Sequence, residues 1–268
     1  MTDRYAVIGN PVAHSKSPWI HAEFARATGQ DIEYMRIEAP LDAFARTVDE
    51  FRAAGGRGAN VTLPFKEAAY RYCARASDRA RAAGAVNTLK FDGAECFGDN
   101  TDGAGLVRDL VRNLGRAIAG RQLLLMGAGG AAQGVLAPLL EAGAARIVIA
   151  NRSPERARAL AARFPGARLE ARAYDSLAGE AFDILINATS AGLQGAAPPL
   201  PAGVLRAGAL AYDMVYGRDT PFLAMARAAG AEACDGLGML AEQAAESFLL
   251  WRGVRPETAP VLARLRAQ

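Results

Sequence analysis

The sequence predicts an α/β protein made of two parallel-sheet units. Three observations predict it. Short aliphatic or β-branched runs alternate with Ala/Arg-rich segments of helical length through most of the 268 residues. The alternation is interrupted once, by two strand-like runs around Asp92-Gly93 that read as a hairpin. It then restarts at "RQLLLMG", where a strand enters a glycine-rich turn and a helix.

Taken in order, "YAVIGN" is a strand followed by a helix over 17–29. "EYMRIEA" precedes a helix over 41–54, and "GANVT" one near 65–75. "AVNTLKFDGAECFGDNT" supplies the hairpin. The second series draws its strands from "RQLLLMG", "RIVIANR", "RLEARAY", "FDILINAT" and "ALAYDMVY". "GDNTDGAG" sets three glycines among polar turn formers and places the boundary near residues 100–104, which gives units 1–102 and 103–237. Two helices remain, "GMLAEQAAESFLLWRG" and "PETAPVLARLRA". The first is amphipathic and is expected to pack back on the first unit, so that 238–268 completes it.

Composition narrows the function. A 51% hydrophobic content supports a large core, and the net charge of +3 comes from arginines scattered over many helices, which disfavours nucleic-acid binding. Cys73, Cys96 and Cys234 are too far apart for a disulfide framework or a zinc pattern, so they read as structural, no metal is expected, and a reducing compartment fits. The chain enters its first strand within a few residues of Met1, without a secretory signal, and the cytoplasm is the expected location. Residues 122–140 carry no charge, but four glycines, Gln133 and Pro138 resolve the run into strand, turn and helix, not a membrane span.

Within that run Gly127, Gly129 and Ala132 have GxGxxA spacing. The first glycine permits the tight turn, the second lets the backbone approach a pyrophosphate, and the third small residue lets helix and strand pack closely. The turn from Gly127 through Ala128, Gly129, Gly130 and Ala131 therefore reads as a dinucleotide loop at a helix N-terminus. The next strand ends about 20 residues on, where an acidic residue would hold the ribose hydroxyls of NAD. Asn151-Arg152-Ser153 stands there instead. Arg152, with Arg156 one turn later, neutralises a 2′-phosphate that a carboxylate would repel, and this favours NADP. Ser153 before Pro154 also reads as a helix N-cap with proline at N1, and Arg156 as a solvated helix face.

In the first unit the polar clusters follow strands: "GNPVAHSKSP", "NVTLPFK", "AVNT" and "GDNTDG". Ligands of open α/β sheets bind beyond the carboxyl ends of strands, so Ser15, Ser17, Asn60, Thr62, Lys66, Asn87 and Asp102 are candidates for one site. Hydroxyls and amides around one lysine and one carboxylate suit a polyhydroxylated ligand. Only Lys16, Lys66 and Lys90 are lysines among 31 basic residues, and lysine, unlike arginine, can exchange its proton. Asp102 also reads as a helix cap, His21 as helix surface or satisfied core, and His14 as shaping its loop.

These motifs, together with "MGAGGAA", "ANRS", "NATSAG", "DMVY", "TPFL" and "GLGMLAEQAAESF", resemble the shikimate dehydrogenase family in order over nearly the whole chain. The resemblance implies reversible reduction of 3-dehydroshikimate to shikimate with NADPH, in the pathway to aromatic amino acids. It also implies an N-terminal substrate domain and a Rossmann-type, doubly wound cofactor domain with a cleft between them. Lys66 and Asp102 correspond to the catalytic pair. Ser15, Ser17, Asn60, Thr62, Asn87, Tyr216 and Gln243 correspond to substrate ligands. Gly127 to Ala131, Asn151, Arg152, Ser153 and Arg156 correspond to the cofactor phosphate sites, and Thr189, Met214, Gly236 and Met239 to the nicotinamide side. "YGRDTP" is one residue shorter than the loop expected after Tyr216. The implied partners are small molecules, and a homodimer is open. The competing readings are a quinate/shikimate dehydrogenase using NAD and a non-catalytic NADP-responsive binding protein.

Overall fold

The computed structural model describes residues 2–93 and 95–267. The chain divides into two compact units, Met1–Leu106 with Leu240–Gln268, and Val107–Met239.

The first unit runs β1 (Asp3–Gly9), α1 (Ser17–Thr28), β2 (Ile32–Glu38), α2 (Phe44–Ala53), β3 (Gly56–Val61), α3 (Lys66–Tyr72), β4 (Arg75–Ala76), α4 (Asp78–Ala83), β5 (Thr88–Asp92), β6 (Glu95–Asp99) and into α5 (Asp102–Arg108). Its sheet has the order β2-β1-β3-β5-β6-β4. The β1, β2 and β3 strands are mutually parallel, and the hairpin expected around Asp92-Gly93 inserts β5 antiparallel between β3 and β6. Ala94 lies outside the described residues. The helix expected near 65–75 ends at Tyr72, because Cys73 is already extended and the chain turns into β4, a strand too short to leave a periodic signal.

Two late helices, α9 (Leu237–Arg252) and α10 (Ala259–Arg266), follow the second series, and α9 enters the first unit at Leu240. Trp251 stacks on Tyr5 at 4.6 Å and its indole N–H donates to the Leu89 carbonyl at 2.9 Å. Gly58 in β3 makes room for it: a Cβ there would fall 2.6 Å from the indole nitrogen.

In the second unit α5 loosens into a π-turn at Asp109–Asn113, followed by β7 (Gln122–Met126), α6 (Gly130–Glu141), β8 (Arg146–Ala150), α7 (Pro154–Ala161), β9 (Leu169–Arg172), β10 (Ile184–Asn187), β11 (Leu210–Asp213), α8 (Pro221–Ala228) and β12 (Glu232–Asp235). The strands are all parallel, in the order β12-β11-β10-β7-β8-β9, which is the doubly wound arrangement with its reversal between β7 and β10. Strands β10 and β11 are buried at every position, the mark of a sheet covered on both faces. The uncharged run 122–140 is resolved as β7, the glycine turn and α6. Among the described residues no helix is long and apolar enough to cross a membrane.

Candidate active site

In the first unit the polar clusters follow the strands whose ends carry them. The Thr62 N–H donates to the Ile8 carbonyl at 2.9 Å and the Asn10 N–H to the Leu63 carbonyl at 3.0 Å, which ties the loop after β1 to the loop after β3. A Cβ on Gly9 would meet the Thr62 methyl at 2.3 Å, so this junction needs glycine. Ser15 and Ser17 are both buried, and the Ser17 N–H donates to Ser15 Oγ at 3.3 Å. Arg36, on β2, holds the same loop by donating from Nε and Nη2 to the Ser15 carbonyl at 3.0 and 2.5 Å.

Lys66 opens α3 and Asp102 opens α5. Their side chains meet in an ion pair, Lys66 Nζ to Asp102 Oδ2 at 2.6 Å, with Asp102 buried. Asn87 Nδ2 donates to the other carboxylate oxygen, Oδ1, at 2.7 Å. The orientation of that amide is fixed from behind: Asn87 Oδ1 accepts from the Thr101 N–H and the Thr88 hydroxyl, each at 2.8 Å. Gln243, on α9, places its Oε1 3.4 Å from both Asn87 Nδ2 and Thr101 Oγ1.

Asn60 is pinned in the same way. Its amide N–H groups face the Asn87 carbonyl, Thr88 Oγ1 and Ser247 Oγ at 3.0 to 3.2 Å, and its Oδ1 accepts from the Tyr34 hydroxyl at 2.7 Å. Thr88, Thr101 and Ser247 are fully buried, and every polar atom of this cluster has a partner, as burial demands. The structure thus joins Asn60, Lys66, Asn87, Asp102 and Gln243 in one hydrogen-bonded set. Ser15 and Ser17 form a pair beside Arg36, and Thr62 is half-buried in the β3 loop. Tyr216 belongs to the second unit, where burial pushes its phenol up.

Sequence reasoning missed Tyr34, Arg36, Thr88, Thr101 and Ser247. Thr88 and Thr101 carried a signal, since each adjoins a candidate inside "AVNT" or "GDNTDG". Ser247 carried one too, lying in "GLGMLAEQAAESF" one helical turn after Gln243, whereas Tyr34 and Arg36 had none. His21 departs from expectation: it is fully buried, stacked on the Tyr34 ring at 4.3 Å, and neither ring nitrogen has a hydrogen-bond partner. Loss of hydration depresses its pKa to about 3; the nearby Asn60 amide offsets part of that without reaching hydrogen-bond geometry.

In the second unit Gly127 has φ +110, and its N–H donates to the Ala150 carbonyl at 2.8 Å. A Cβ there would press on the Ala188 carbonyl at 3.1 Å, whereas Gly129 and Gly130 at the start of α6 meet nothing within 4 Å. The turn is therefore tight on its inner side and open where α6 presents its N–H groups. Ala132 is fully buried. At the end of β8, Asn151 Nδ2 donates to the Ser153 carbonyl at 3.0 Å, and Ser153 is the N-cap of α7 with Pro154 following, although its hydroxyl makes no capping bond. Arg152 and Arg156 are exposed, and neither has a carboxylate partner among the described residues. Two uncommitted guanidiniums and no acid at this strand end fit a 2′-phosphate.

Thr189 donates to Asn187 Oδ1 at 2.7 Å, and Asn187 in turn donates to the buried Asp213 carboxyl, which also takes the Thr220 hydroxyl at 2.6 Å. Burial raises the Asp213 pKa. Gly236 lies so close to Met214 that a Cβ would stand 2.5 Å from the Met214 carbonyl oxygen, and the Met239 N–H reaches the Tyr212 hydroxyl at 3.3 Å. Thr189, Met214, Gly236 and Met239 are thus held at strand ends and at the start of α9.

Known proteins resemble the chain over nearly its whole length. Residues 7–89 match the shikimate dehydrogenase substrate binding domain, 109–194 the shikimate/quinate 5-dehydrogenase family and 236–266 the shikimate 5′-dehydrogenase C-terminal domain. A shikimate dehydrogenase (NADP(+)) of Aromatoleum aromaticum is 61% identical over 272 residues, covering 99% of this chain and 98% of its own. The crystal structure of an Ael1 enzyme from Pseudomonas putida matches with a TM-score of 0.94 at 50% identity, covering 98% of each chain. That of shikimate 5-dehydrogenase from Thermus thermophilus in complex with NADP(H) and shikimate matches at 0.89 and 39% identity, covering 99% of each.

Proposed function

The chain belongs to the shikimate dehydrogenase family, and from that premise we propose that it reduces 3-dehydroshikimate reversibly to shikimate with NADPH, using Lys66 and Asp102 as its proton-transfer pair. The observation that carries the reading is the 2.6 Å contact between Lys66 Nζ and Asp102 Oδ2, with Asn87 on the other carboxylate oxygen. A pair held from both sides amid neutral hydroxyls and amides is suited to moving a proton to or from a hydroxyl-bearing substrate.

In this reading the first unit binds the substrate through Ser15, Ser17, Asn60, Thr62, Asn87 and Gln243, and Tyr216 adds a contact. The second unit binds NADP through the Gly127–Ala131 turn, Asn151, Arg152, Ser153 and Arg156, with Thr189, Met214, Gly236 and Met239 toward the nicotinamide. Bound NADPH supplies the hydride. In the reducing direction the Lys66 ammonium donates its proton to the carbonyl oxygen as negative charge develops there. Asp102 keeps the ammonium aimed, and Asn87 keeps Asp102 from turning away. Fixed donors of this kind are set before the reaction begins, so little reorganisation is required during it.

The reading extends to the cytoplasm, since three free cysteines suit a reducing compartment; the homodimer stays open, and sedimentation of the purified chain reads the oligomeric state directly.

The test of the function is nicotinamide reduction by purified protein with shikimate and NADP⁺, with quinate and NAD⁺ substituted in parallel. Turnover is expected with shikimate and NADP⁺ and to fall with either substitution. Equal turnover with NAD⁺ removes the role given to Arg152 and Arg156, equal turnover with quinate removes the substrate preference, and none with any pair leaves a binding protein.

A further inference from the structure

A substrate that is a carboxylate anion needs a cation within reach of the groups that hold it, because neutral donors alone repay little of its lost hydration. Of the cations that border the predicted substrate residues, Lys66 is cancelled by Asp102. Lys16, between the two serines, has an interaction of its own. Arg36 is different. Its guanidinium donates twice to a neutral acceptor, the Ser15 carbonyl, and among the described residues no carboxylate pairs with it. Glu33, on the opposite face of β2, pairs with Arg4, and Glu38, two residues beyond Arg36, does not come within ion-pair distance.

The placement follows from the strand. Arg36 and Tyr34 are two apart on β2 and share a face. Tyr34 on that face stacks on His21 of α1 and bonds Asn60, so Arg36 projects beside the start of α1, where Ser15 and Ser17 are. A carbonyl oxygen and the Oγ of the same serine are no more than about 4 Å apart, which puts the guanidinium within about 7 Å of the Ser15 hydroxyl.

We propose that Arg36 is a positioning and specificity-determining residue for the substrate's carboxylate, fixing the Ser15-Lys16-Ser17 loop through the Ser15 carbonyl and supplying the counter-charge that the serines lack. This rests on the functional reading above. The Arg36 side chain is exposed, and a carboxylate held by the Ser15 hydroxyl stands up to about 10 Å from its guanidinium, so the charge accounts for roughly a two- to fivefold preference for an anion over a neutral ligand of the same shape at low salt.

The experiment compares wild type, Arg36→Gln and Arg36→Lys with shikimate and with its uncharged methyl ester, NADP⁺ being saturating, at low and high salt. Gln keeps a donor for the Ser15 carbonyl and loses the charge, whereas Lys keeps the charge. Arg36→Gln is expected to raise KM for shikimate about two- to fivefold at low salt with kcat little changed, to leave KM for the ester unchanged, and to flatten the salt dependence of kcat/KM; Arg36→Lys recovers most of the loss. An equal rise in KM for acid and ester, or none for either, overturns the role in carboxylate recognition. Absence of wild-type turnover with shikimate and NADP⁺ overturns the functional reading and this inference together, whereas wild-type turnover matched by Arg36→Gln overturns the inference alone.

Discussion

The Lys66 ammonium reaches Asp102 from the first turn of one short helix to the first residue of another, and this contact sets the expectation at the scale of single residues. Lys66→Met removes the proton donor while keeping most of the stem. The expected result is a fall in kcat of about 10²- to 10⁴-fold with KM for shikimate changed only a few-fold, read from steady-state kinetics. A kcat close to wild type would remove Lys66 from the chemistry. Legibility at this scale followed local context. Lys66 stood out as a rare residue type in a polar cluster after a strand, and Asp102 as the carboxylate in another such cluster. Thr88 and Thr101 were equally local, yet a threonine beside an asparagine also reads as an ordinary strand or cap residue, and only its hydrogen bonds reveal what it orients.

At the scale of elements, the start of α9 and the π-turn after α5 were the least legible parts. Asp109, in that turn, is fully buried and accepts from the Tyr212 hydroxyl at 2.6 Å and from Asn113 Nδ2 at 2.8 Å. Gly238 packs directly on it: a Cβ there would fall 1.9 Å from Asp109 Oδ1. Gly238→Ala must therefore shift the helix start or break the buried carboxyl's bonds. The expected cost is about 2–4 kcal/mol of stability in urea unfolding. Because Met239 follows immediately, KM for NADP⁺ should rise as well. An alanine variant as stable as wild type would show that the helix start yields freely. By contrast, the β7 turn was legible because its glycines serve local backbone geometry: Gly127 adopts φ +110, which a side chain resists.

At the scale of the whole molecule, His21 ties stability to pH. Its pKa is about 3 in the fold against 6.5 when hydrated. Below pH 6.5 the unfolded chain takes up a proton that the native imidazole refuses until about pH 3, so the unfolded state binds more protons across that window. The stability that His21 contributes is complete above 6.5 and is lost progressively as pH falls toward 3, by up to about 5 kcal/mol. Urea midpoints measured at pH 7, 6, 5 and 4 should fall more steeply for wild type than for His21→Leu, and parallel slopes would exclude His21 as the source. Glu170 adds a separate, lower window. Its bonds to Arg146 and Arg172 hold it at about 2 against 4.5, so its contribution is lost as pH falls below 4.5 in both proteins and cancels from the comparison.

The sequence by itself determined the alternation of strands and helices, the strand-turn-helix at 122–140, the arginine at 152 where an acid would favour NAD, and the polar clusters that hold Lys66 and Asp102. Each depends on spacing along the chain, and backbone geometry translates such spacing directly into turns, faces and strand ends. Only the tertiary structure decided which residues orient those candidates. Asn60 is fixed by Ser247, 187 positions away, and by Tyr34, 26 positions away on another strand. Arg36 serves the loop at Ser15 from 21 positions on, and His21 lost its hydrogen-bond partners through packing alone. A hydrogen bond needs its atoms about 3 Å apart, and periodicity assigns a residue to a face without saying which distant residue the fold brings to meet it.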